Sequence, residues 1–307
     1  MKLGELSVTS LIDGAISGAP ATGFPDKTAD DWVQWEHYLQ DGKLVSDTGG
    51  FLVSTGDRLV LIDAGGGPPG ETASSNESVR EQLVKMFEGR GLSGPALEGV
   101  VALTLTTSIE SGHMPESMRA AGVRAEDVTD VIFTHLHSDH IGWASADGTA
   151  YFPNATYHCS RTDFDYFHGP DVDEAFSQLV WGTPLAREKL APVLPQLEVW
   201  DSDTTIAPGI DVRLAPGHTP GSSVVVLSSG GQRALILGDM AHCPFELQDP
   251  EWQLIGDVDR ELARQTREAY IRELEDGQAY AAGSHFPGLN FGRLMSSGNT
   301  RSWSVFT

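Results

Sequence analysis

The sequence predicts an α/β fold built from short buried strands and amphipathic helices. Apolar runs rich in Val, Ile and Leu recur along the chain between clusters of Gly, Pro and Asp, a pattern typical of strands. Segments with helical periodicity follow several of these runs. Polar residues mark the points where strands end, and in a layered α/β fold such ends lie together at one edge of a sheet.

The length of 307 residues is enough for one large α/β domain. We predict a single domain over residues 1–307 with two related halves, about 1–145 and 146–307, because each half contains strands followed by helices. A content of 40% hydrophobic residues is ordinary for a globular protein, and the 34 glycines predict many tight turns.

The formal charge of -23 argues against binding to nucleic acid or to an anionic membrane. No apolar run approaches the roughly 20 residues that span a bilayer. The first residues lack the basic and then apolar pattern of a secretory signal, so we expect a cytoplasmic protein. Cys159 and Cys243 are the only cysteines, which predicts no disulfide framework.

In chain order, the elements are predicted from apolar runs, helical spacing and turn residues. The predicted strands are Ser7–Ile12, Phe51–Val53, Arg58–Ile62, Val131–Phe133, Ala155–Cys159, Leu197–Trp200, Asp211–Leu214, Ser222–Leu227, Ala234–Leu237 and Ala279–Ala282. The predicted helices are Ser78–Gly89, Pro115–Ala121, Arg161–Phe167, Asp173–Leu190 and about Asp257–Leu274. Residues 96–112 show no clear period and are predicted to be irregular or weakly strand-like.

An aromatic segment near the N-terminus has helical spacing. Trp32, Trp35, Tyr38 and Leu39 predict a short helix that Asp30 caps. Because aromatic stripes usually belong to the core, we favour packing against the body of the protein. The alternatives are a flap over a cleft and a contact in a homodimer.

The densest group of metal-binding side chains follows the strand Val131–Phe133. His135, His137, Asp139 and His140 lie within six positions, with Gly142 shortly after. Side chains alternate along an extended chain, so His135 and His137 are expected on the same side. Imidazole and carboxylate together suit zinc or a similar divalent ion.

Four other polar residues follow predicted strands. His218 lies in a rigid turn of Pro and Gly, Asp239 follows Leu-Gly, and His285 follows Gly-Ser. Each is ordinary by itself, but their joint placement at strand ends predicts that they meet. Asp63 precedes a Gly-rich turn that lacks the lysine of a phosphate-binding loop, so we expect it to hydrogen-bond a metal-bound histidine.

The ordered motifs resemble the metallo-β-lactamase superfamily. They are Thr-His-Leu-His-Ser-Asp-His at 134–140, Pro-Gly-His-Thr-Pro-Gly at 216–221, Leu-Gly-Asp at 237–239 and Ser-His at 284–285. The resemblance implies a four-layer αββα sandwich, in which helices cover the outer faces of two mixed sheets. It also implies two divalent metal ions at one edge, the first held by His135, His137 and His218, the second by Asp139, His140 and His285, with Asp239 bridging them.

The ligand pattern favours zinc over manganese, iron or cobalt, because di-iron members of the superfamily have Glu at the position of His137. Members that hydrolyse β-lactams commonly lack the bridging aspartate, so the presence of Asp239 makes antibiotic hydrolysis less favoured. Two divalent ions can share a hydroxide at neutral pH and polarise the substrate. We therefore expect a metal-dependent hydrolase with Asp139 and Asp239 at its catalytic centre.

Residues 238–245 and 284–288 resemble the branch that holds methyl-parathion hydrolases and N-acyl-homoserine lactonases. In the lactonases a tyrosine commonly follows the bridging aspartate by three positions and contacts the substrate, and here that residue is His242. His242 can donate the same hydrogen bond, or it can be an ordinary loop residue. The expected substrates are a lactone, a carboxylic ester or an organophosphate triester.

Four aromatic residues next to the motifs can line an apolar pocket or pack in the core: Trp143, Phe245, Phe286 and Phe291. The nearest cationic residues are Arg161 and Arg293; they could bind an anionic substrate group, but neither directly adjoins a ligand motif. This favours a small uncharged or apolar ester-like substrate. The rival hypotheses are a glyoxalase-II-like thioesterase, which needs a basic patch for its substrate, and a metal-binding protein without catalysis.

Overall fold

Two mixed β-sheets lie at the centre of the structure, a computed structural model that describes residues 1–69, 77–169, 172, 183–275, 279–298 and 300–306. The first sheet has nine strands, with a main order of β1-β2-β4-β5-β7-β10-β11, while β3 pairs with β4 and β6 with β2. The second has seven strands in sequence order from β12 to β18. The described strands are β1 Lys2–Leu3, β2 Leu6–Gly18, β3 Leu39–Gln40, β4 Lys43–Ser54, β5 Leu59–Ile62, β6 Ser108–Glu110, β7 Asp130–Ile132, β8 Ser145–Ala146, β9 Thr149–Ala150, β10 Thr156–Ser160, β11 Leu197–Trp200, β12 Thr204–Ala207, β13 Ile210–Leu214, β14 Ser223–Ser229, β15 Gln232–Ile236, β16 Ala279–Ala282, β17 Gly292–Ser297 and β18 Thr300–Val305.

The helices connect strands and cover the outer faces of the sheets. Short 3₁₀ segments lie at Val33–Tyr38, Ala125–Asp127, Ala191–Gln196, Gly238–Met240 and Pro287–Leu289. The described α-helices are α1 Pro20–Gly23, α2 Ala29–Trp32, α3 Glu77–Gly89, α4 Gly94–Thr104, α5 Met114–Ala120, α6 Ser138–Ile141, α7 Arg161–His168, α8 Ala186–Leu190, α9 Pro244–Gln248 and α10 Arg260–Glu275. In the described ranges, none of these helices combines the length and the apolar character that a membrane crossing requires.

Alternation along the strands separates the core into layers. On β5, Val60 and Ile62 face the second sheet, whereas Leu61 faces helices α5, α7 and α8. On β14, Val225 faces the first sheet and Val224 packs with residues of α10. Because successive side chains point to opposite faces of a strand, each sheet buries both faces. The result is the predicted four-layer αββα arrangement.

Strand direction brings many strand ends to one edge. Within the first sheet, β5, β7, β10 and β11 run parallel to one another. Within the second, β15 and β16 are parallel, and β13 has the same direction because β14 is antiparallel to both β13 and β15. The loops after β5, β7, β13, β15 and β16 therefore lie at the edge that carries the candidate site.

The structure differs in part from the sequence prediction at residues 96–112, which were expected to be irregular or weakly strand-like. They contain most of α4 and the strand β6. Helix α4 packs Leu97, Val100 and Val101 against α3, and its residues are apolar on most sides, so the sequence lacks the polar face that reveals helical periodicity. The chain moves from the first sheet to the second between β11 and β12.

The aromatic segment forms α2 and the 3₁₀ segment Val33–Tyr38. Trp32 and Trp35 are buried against Phe24, Phe245 and Trp252, so the segment packs on the body of the protein. The predicted helix Asp173–Leu190 falls mainly outside the described residues, apart from α8.

Candidate metal centre

The loop after β7 places four predicted ligands at the strand edge. The strand ends at Ile132, and α6 begins at Ser138 directly after His137. Gly142 follows this helix because its backbone contacts Gly66: a Cβ atom at position 142 would lie 2.0 Å from the carbonyl carbon of Gly66. The glycine thus lets the β5 and β7 loops approach closely.

Three imidazoles and a carboxylate form the first cluster. Nε2 of His135 and Nε2 of His218 lie 2.9 and 3.0 Å from Nδ1 of His137. Asp239 Oδ2 is 3.3 Å from Nε2 of His218 and 3.7 Å from Nε2 of His135. One potential ligand atom from each residue lies within 4.8 Å of the others, so the group can surround one ion.

The second cluster shares the same aspartate. Nε2 of His285 lies 3.3 Å from Oδ2 of Asp139 and 3.3 Å from Oδ2 of Asp239. Nε2 of His140 lies 3.2 Å from Oδ1 of Asp239. Asp239 therefore stands between two groups of donors. The structure brings together all seven side chains that the sequence predicted as ligands.

Hydrogen bonds orient the imidazole rings toward the two clusters. The Nδ1 atom of His140 lies 2.9 Å from Asp63 Oδ2, and that of His218 lies 2.9 Å from Asp257 Oδ1. The Nδ1 atom of His285 lies 2.9 Å from the carbonyl oxygen of Asp47. An N–H at Nδ1 can donate to each acceptor. This arrangement leaves Nε2 free to bind a cation and fixes the ring, as partners of metal-binding histidines generally do.

Asp63 occupies the position that the sequence analysis expected, beside a candidate ligand. Its backbone has φ of +58°, a conformation that Asp tolerates better than most residues. Its carboxylate accepts hydrogen bonds from Thr134 N at 2.8 Å and from Ser284 Oγ at 2.8 Å, and it also faces His140. It therefore connects the loops after β5, β7 and β16.

The pKa values of the imidazoles differ between the two clusters: burial acts to lower them in His140 and His285, but Asp239 and Asp139 outweigh it, raise the pKa of His285 to about 10 and hold that of His140 well above its ordinary value. Burial, together with the other imidazoles, lowers the pKa of His137 to about 3 and holds the pKa of His135 well below its ordinary value, which favours neutral rings. Burial acts to raise the pKa of Asp239, but the surrounding histidines outweigh it and keep this pKa well below the usual range. Neutral imidazoles and ionised carboxylates are the forms that bind metals.

Several buried polar atoms at the centre lack hydrogen bonds. They include His140 Nε2 and Asp239 Oδ1, which face each other but have no suitable hydrogen-bond geometry. Because an unsatisfied buried polar group is costly, these atoms need a further partner. A divalent cation supplies one, and the mixed nitrogen and oxygen donors suit zinc. The residues present therefore fit two metal ions.

His242 also lies at this centre. Its Nε2 atom is 3.1 Å from Asp239 Oδ2, and its ring stacks on His285 with centroids 5.5 Å apart. Its backbone N–H donates to Glu246 Oε2 at 2.6 Å, which fixes the turn after Asp239. His242 thus lies on the wall of the cavity rather than on an exposed loop.

A cavity of about 220 Å³ opens onto both clusters. Its far wall is mainly apolar and comes from β2, β4, α3 and the loop before α10; it includes Ile16, Leu44, Met86, Phe87, Leu254 and Ile255. One lining residue carries a cationic side chain, Arg90, whose Nη1 donates to the carbonyl oxygen of Ile255 at 2.9 Å. Arg90 is distant in sequence from every motif and was not among the predicted site residues.

The four aromatic residues predicted to line a pocket lie elsewhere among the described residues. Trp143 donates to Asp13 Oδ1 at 2.8 Å, and Phe245 belongs to the aromatic group around Trp32. Phe286 packs on Trp303, and Phe291 on Phe51 in the core between the sheets. The aromatic side chains next to the ligand motifs pack into the protein interior because the motifs follow buried strands. Arg161 pairs with Asp201 and Arg293 covers the ring of Tyr280, so neither lines the cavity.

Three buried residues that support the centre were missed from the sequence. Asp257 orients His218, and Arg267 contacts the turn after Asp239. Asp163 accepts hydrogen bonds from Leu136 N, Thr219 Oγ1 and Gly221 N, and so connects the loops after β7 and β13. Each lies on or beside a helix far from the motifs in sequence, so only the fold reveals them.

Comparison with known families settles the membership of the chain. Residues 50–285 match the family model described as the metallo-beta-lactamase superfamily. The chain belongs to this superfamily. Its fold class and the resemblance seen in its motifs are thereby confirmed, and it is a metal-dependent hydrolase.

Similar superfamily proteins include lactonases. The N-acyl homoserine lactonase AiiA of Bacillus thuringiensis is 24% identical over 217 residues, which cover 69% of this chain and 70% of that protein. A probable metallo-hydrolase of Mycobacterium tuberculosis is 29% identical over 195 residues, covering 61% and 54%.

Solved structures share the fold over the whole length. AidC, a dizinc quorum-quenching lactonase, superposes with a TM-score of 0.78 at 24% identity, covering 100% of this chain and 96% of that chain. The hydrolase AbOPH of the beta lactamase superfamily gives a TM-score of 0.78 at 23% identity, with the same two coverages.

Proposed function

We propose that this superfamily member is a dinuclear zinc hydrolase that cleaves an uncharged ester-type bond, with a lactone as the first candidate substrate. In this proposal His135, His137 and His218 hold one ion, Asp139, His140 and His285 hold the other, and Asp239 bridges them. The observation that carries the proposal is the convergence of these seven side chains at the mouth of one apolar cavity.

Two divalent ions in such a site supply an activated water at neutral pH and polarise the oxygen of the scissile bond. The chain itself determines where that bond lies. The cavity wall at Ile16, Met86 and Phe87 can accept a hydrocarbon substituent, which places the polar end of the substrate beside Asp139 and Asp239. Burial of the donors limits access of bulk water and strengthens their electrostatic interactions.

His242 is proposed to bind the substrate. It lies on the cavity wall beside Asp239, and a ring N–H there can donate a hydrogen bond to a carbonyl or phosphoryl oxygen. Glu246 fixes this turn by accepting the backbone N–H groups of His242 and Cys243, at 2.6 and 2.9 Å. The side chain therefore reaches the substrate from a rigid backbone.

Zinc is proposed because imidazoles supply five of the seven donors, and N-rich donor sets with carboxylates suit zinc. The names of similar proteins support a lactone: AiiA is an N-acyl homoserine lactonase and AidC a dizinc lactonase. The cavity offers little for an anionic thioester, since Arg90 is the one cationic side chain among the described lining residues. A small apolar ester-like substrate fits these walls better.

The test combines metal analysis with a panel of substrates. Purified protein is expected to contain about two zinc ions per chain and to hydrolyse acyl lactones faster than nitrophenyl esters, a phosphotriester or S-lactoylglutathione. His285→Ala is the test variant, and His113→Ala, an exposed histidine outside the centre, is the matched control. Two bound metals without turnover of any substrate would favour a binding protein, and turnover of S-lactoylglutathione alone would favour a thioesterase.

A further inference from the structure

One arginine is completely enclosed beside the candidate metal centre. Arg267 lies on α10, and its side chain is 0% exposed. Arginine is almost never fully buried unless it is paired, because removing its charge from water is costly. Interactions of the guanidinium with its surroundings must therefore compensate for the free energy lost on burial.

Two nitrogens of the guanidinium donate hydrogen bonds to backbone oxygens, and the third faces two carboxylates at ion-pair distance without a hydrogen bond. The Nε atom donates to the carbonyl oxygen of Met240 at 2.8 Å, and Nη1 donates to that of Trp252 at 2.7 Å. Nη2 lies 3.3 Å from Glu246 Oε1 and 3.8 Å from Asp257 Oδ2. Both carboxylates are themselves buried. One cation thus faces two anions in a region that excludes water.

Each carboxylate uses its other oxygen to contact the metal centre. Asp257 Oδ1 lies 2.9 Å from Nδ1 of His218, a candidate ligand. Glu246 Oε2 accepts the backbone N–H groups of His242 and Cys243. Met240, whose carbonyl oxygen accepts from Arg267, directly follows Asp239. Arg267 is therefore connected to His218, Asp239 and His242 through one intervening residue in each case.

We propose that Arg267 is a positioning residue of the metal centre: it fixes Asp257, and through it the ring of His218, together with the turn that carries Asp239 and His242. This inference rests on the proposed metal site. The planar guanidinium offers several N–H groups in a fixed fork, so one side chain holds three separate segments at once. Lysine has the same charge but one nitrogen, and cannot make these contacts together.

Loss of the guanidinium would leave Glu246 and Asp257 buried without their counter-charge. Two uncompensated carboxylates in a dry region repel each other and draw in water. The Asp257 carboxylate would then no longer be held in place for His218. The consequence is a poorer metal site without the removal of any ligand.

The experiment measures metal affinity, which needs no substrate. Metal-free wild type, Arg267→Lys and Arg267→Met are titrated with zinc against a competing chelator, and the visible spectrum is recorded after loading with cobalt. Both variants are expected to lose about 10- to 100-fold in affinity for at least one ion, as is usual when the partner of a ligand is removed. The cobalt absorption bands are expected to shift, because the position of the His218 ring changes.

Arg264→Met is the matched control. Arg264 lies on the same helix and pairs with Glu261 and Glu268 at the surface, away from the metal centre. The Arg264→Met variant should keep the zinc affinity and the cobalt spectrum of the wild type. If the Arg267 variants fold, as judged by circular dichroism, and bind zinc as the control does, Arg267 only stabilises the fold and the proposal is wrong. The proposal is also wrong if neither Arg267 variant folds.

A double-variant cycle tests the connection through Asp257. Asp257→Asn alone should weaken zinc binding. The double variant with Arg267→Met should bind zinc as tightly as the single variant with the lower affinity, because both substitutions remove the same support. Additive losses would contradict the connection. Failure of wild type to bind two ions would instead overturn the proposed function, so the two failures are distinguishable.

Discussion

The two donor clusters at the centre differ in charge and in support. The imidazole half-site consists of the rings of His135, His137 and His218, whereas the mixed half-site, Asp139, His140 and His285, adds a carboxylate of its own. Both use Asp239. Because carboxylates favour harder cations and imidazoles favour zinc and similar ions, the two proposed positions are not equivalent. A second metal type is expected to enter the mixed half-site first.

The supports of the two half-sites come from different parts of the fold. His140 is held by Asp63, after β5 of the first sheet, and His285 by the carbonyl oxygen of Asp47 on β4. His218 is held by Asp257, just before α10. Each half-site nevertheless takes ligands from loops of both sheets. Metal binding should therefore stabilise the contact between the sheets, and the free energy of unfolding should increase with the logarithm of the metal concentration divided by its Kd.

The largest effect is expected from the residue that both half-sites share. Asp239→Asn keeps the size of the side chain but removes the negative charge between the two groups of imidazoles. We expect the metal content to fall from about two ions to one or fewer per chain, and hydrolysis to fall by about 10³-fold or more, because two-metal catalysis is lost. Metal analysis and turnover of the best substrate measure both. Retention of two tightly bound ions would show that Asp239 does not bridge them.

The next effect separates the half-sites. His218→Ala should weaken the imidazole half-site and leave the mixed one able to bind an ion, while His285→Ala should do the reverse. Each variant is expected to keep about one ion per chain and to lose roughly 10²- to 10³-fold in activity. Cobalt spectra of the two variants should differ, since the remaining donors differ in their share of carboxylate. Identical spectra would contradict the division into two half-sites.

The sequence revealed much of this centre because its ligands follow strands. Short apolar runs predicted β5, β7, β13, β15 and β16, and common strand direction then brings their ends together. The ligand residues also lie in short motifs with local spacing. These two properties made the seven candidate ligands and Asp63 predictable without coordinates.

The cavity and the supporting residues were beyond such reasoning. Phe87 on α3 and Arg90, directly after this helix, reach the cavity, and Asp257 and Arg267 meet His218 and Met240 through tertiary contacts alone. Closeness in sequence to a motif predicted the wrong walls: Phe286 and Phe291 turn into the core. Helix α4 was missed because its apolar faces leave no periodic signal. Packing between distant elements determines these features.

Asp63 provides a smaller test of the mixed half-site. Asp63→Asn preserves the left-handed backbone, which Asn also tolerates, so the variant reports on hydrogen bonds rather than on strain. The carboxylate of Asp63 accepts hydrogen bonds from Thr134, Ser284 and His140 with its two oxygens. An amide has one accepting oxygen, so the variant cannot keep all of these hydrogen bonds. We expect a loss of about 10- to 100-fold in affinity for one ion, measured by chelator competition. Asp63→Asn should cause the same loss of metal affinity when His218→Ala is also present. If the loss disappears in that double variant, Asp63 supports the imidazole half-site instead.

A further effect, on folding rather than on metal binding, concerns the stability of the imidazole half-site. Asp163 joins the loops of His135 and His218, and burial raises its pKa to about 6 despite the hydrogen bonds that it accepts from Thr219, Gly221 and Leu136. In the unfolded chain its pKa is about 3.9. The folded state thus binds this proton more tightly, so the stability that the group contributes is complete below about pH 4 and is lost as the pH rises through about 6.

Asp163→Asn cannot titrate, and comparison with wild type isolates this contribution because other groups are shared. In urea unfolding of the metal-free proteins, the free energy of unfolding of wild type minus that of the variant should decrease by about 2–3 kcal/mol between pH 4 and pH 7. A difference that stays constant over this range would mean that Asp163 is ionised in the folded protein throughout. In that case ionisation of Asp163 would not contribute to the pH dependence of stability, and its role would be limited to joining the loops of His135 and His218.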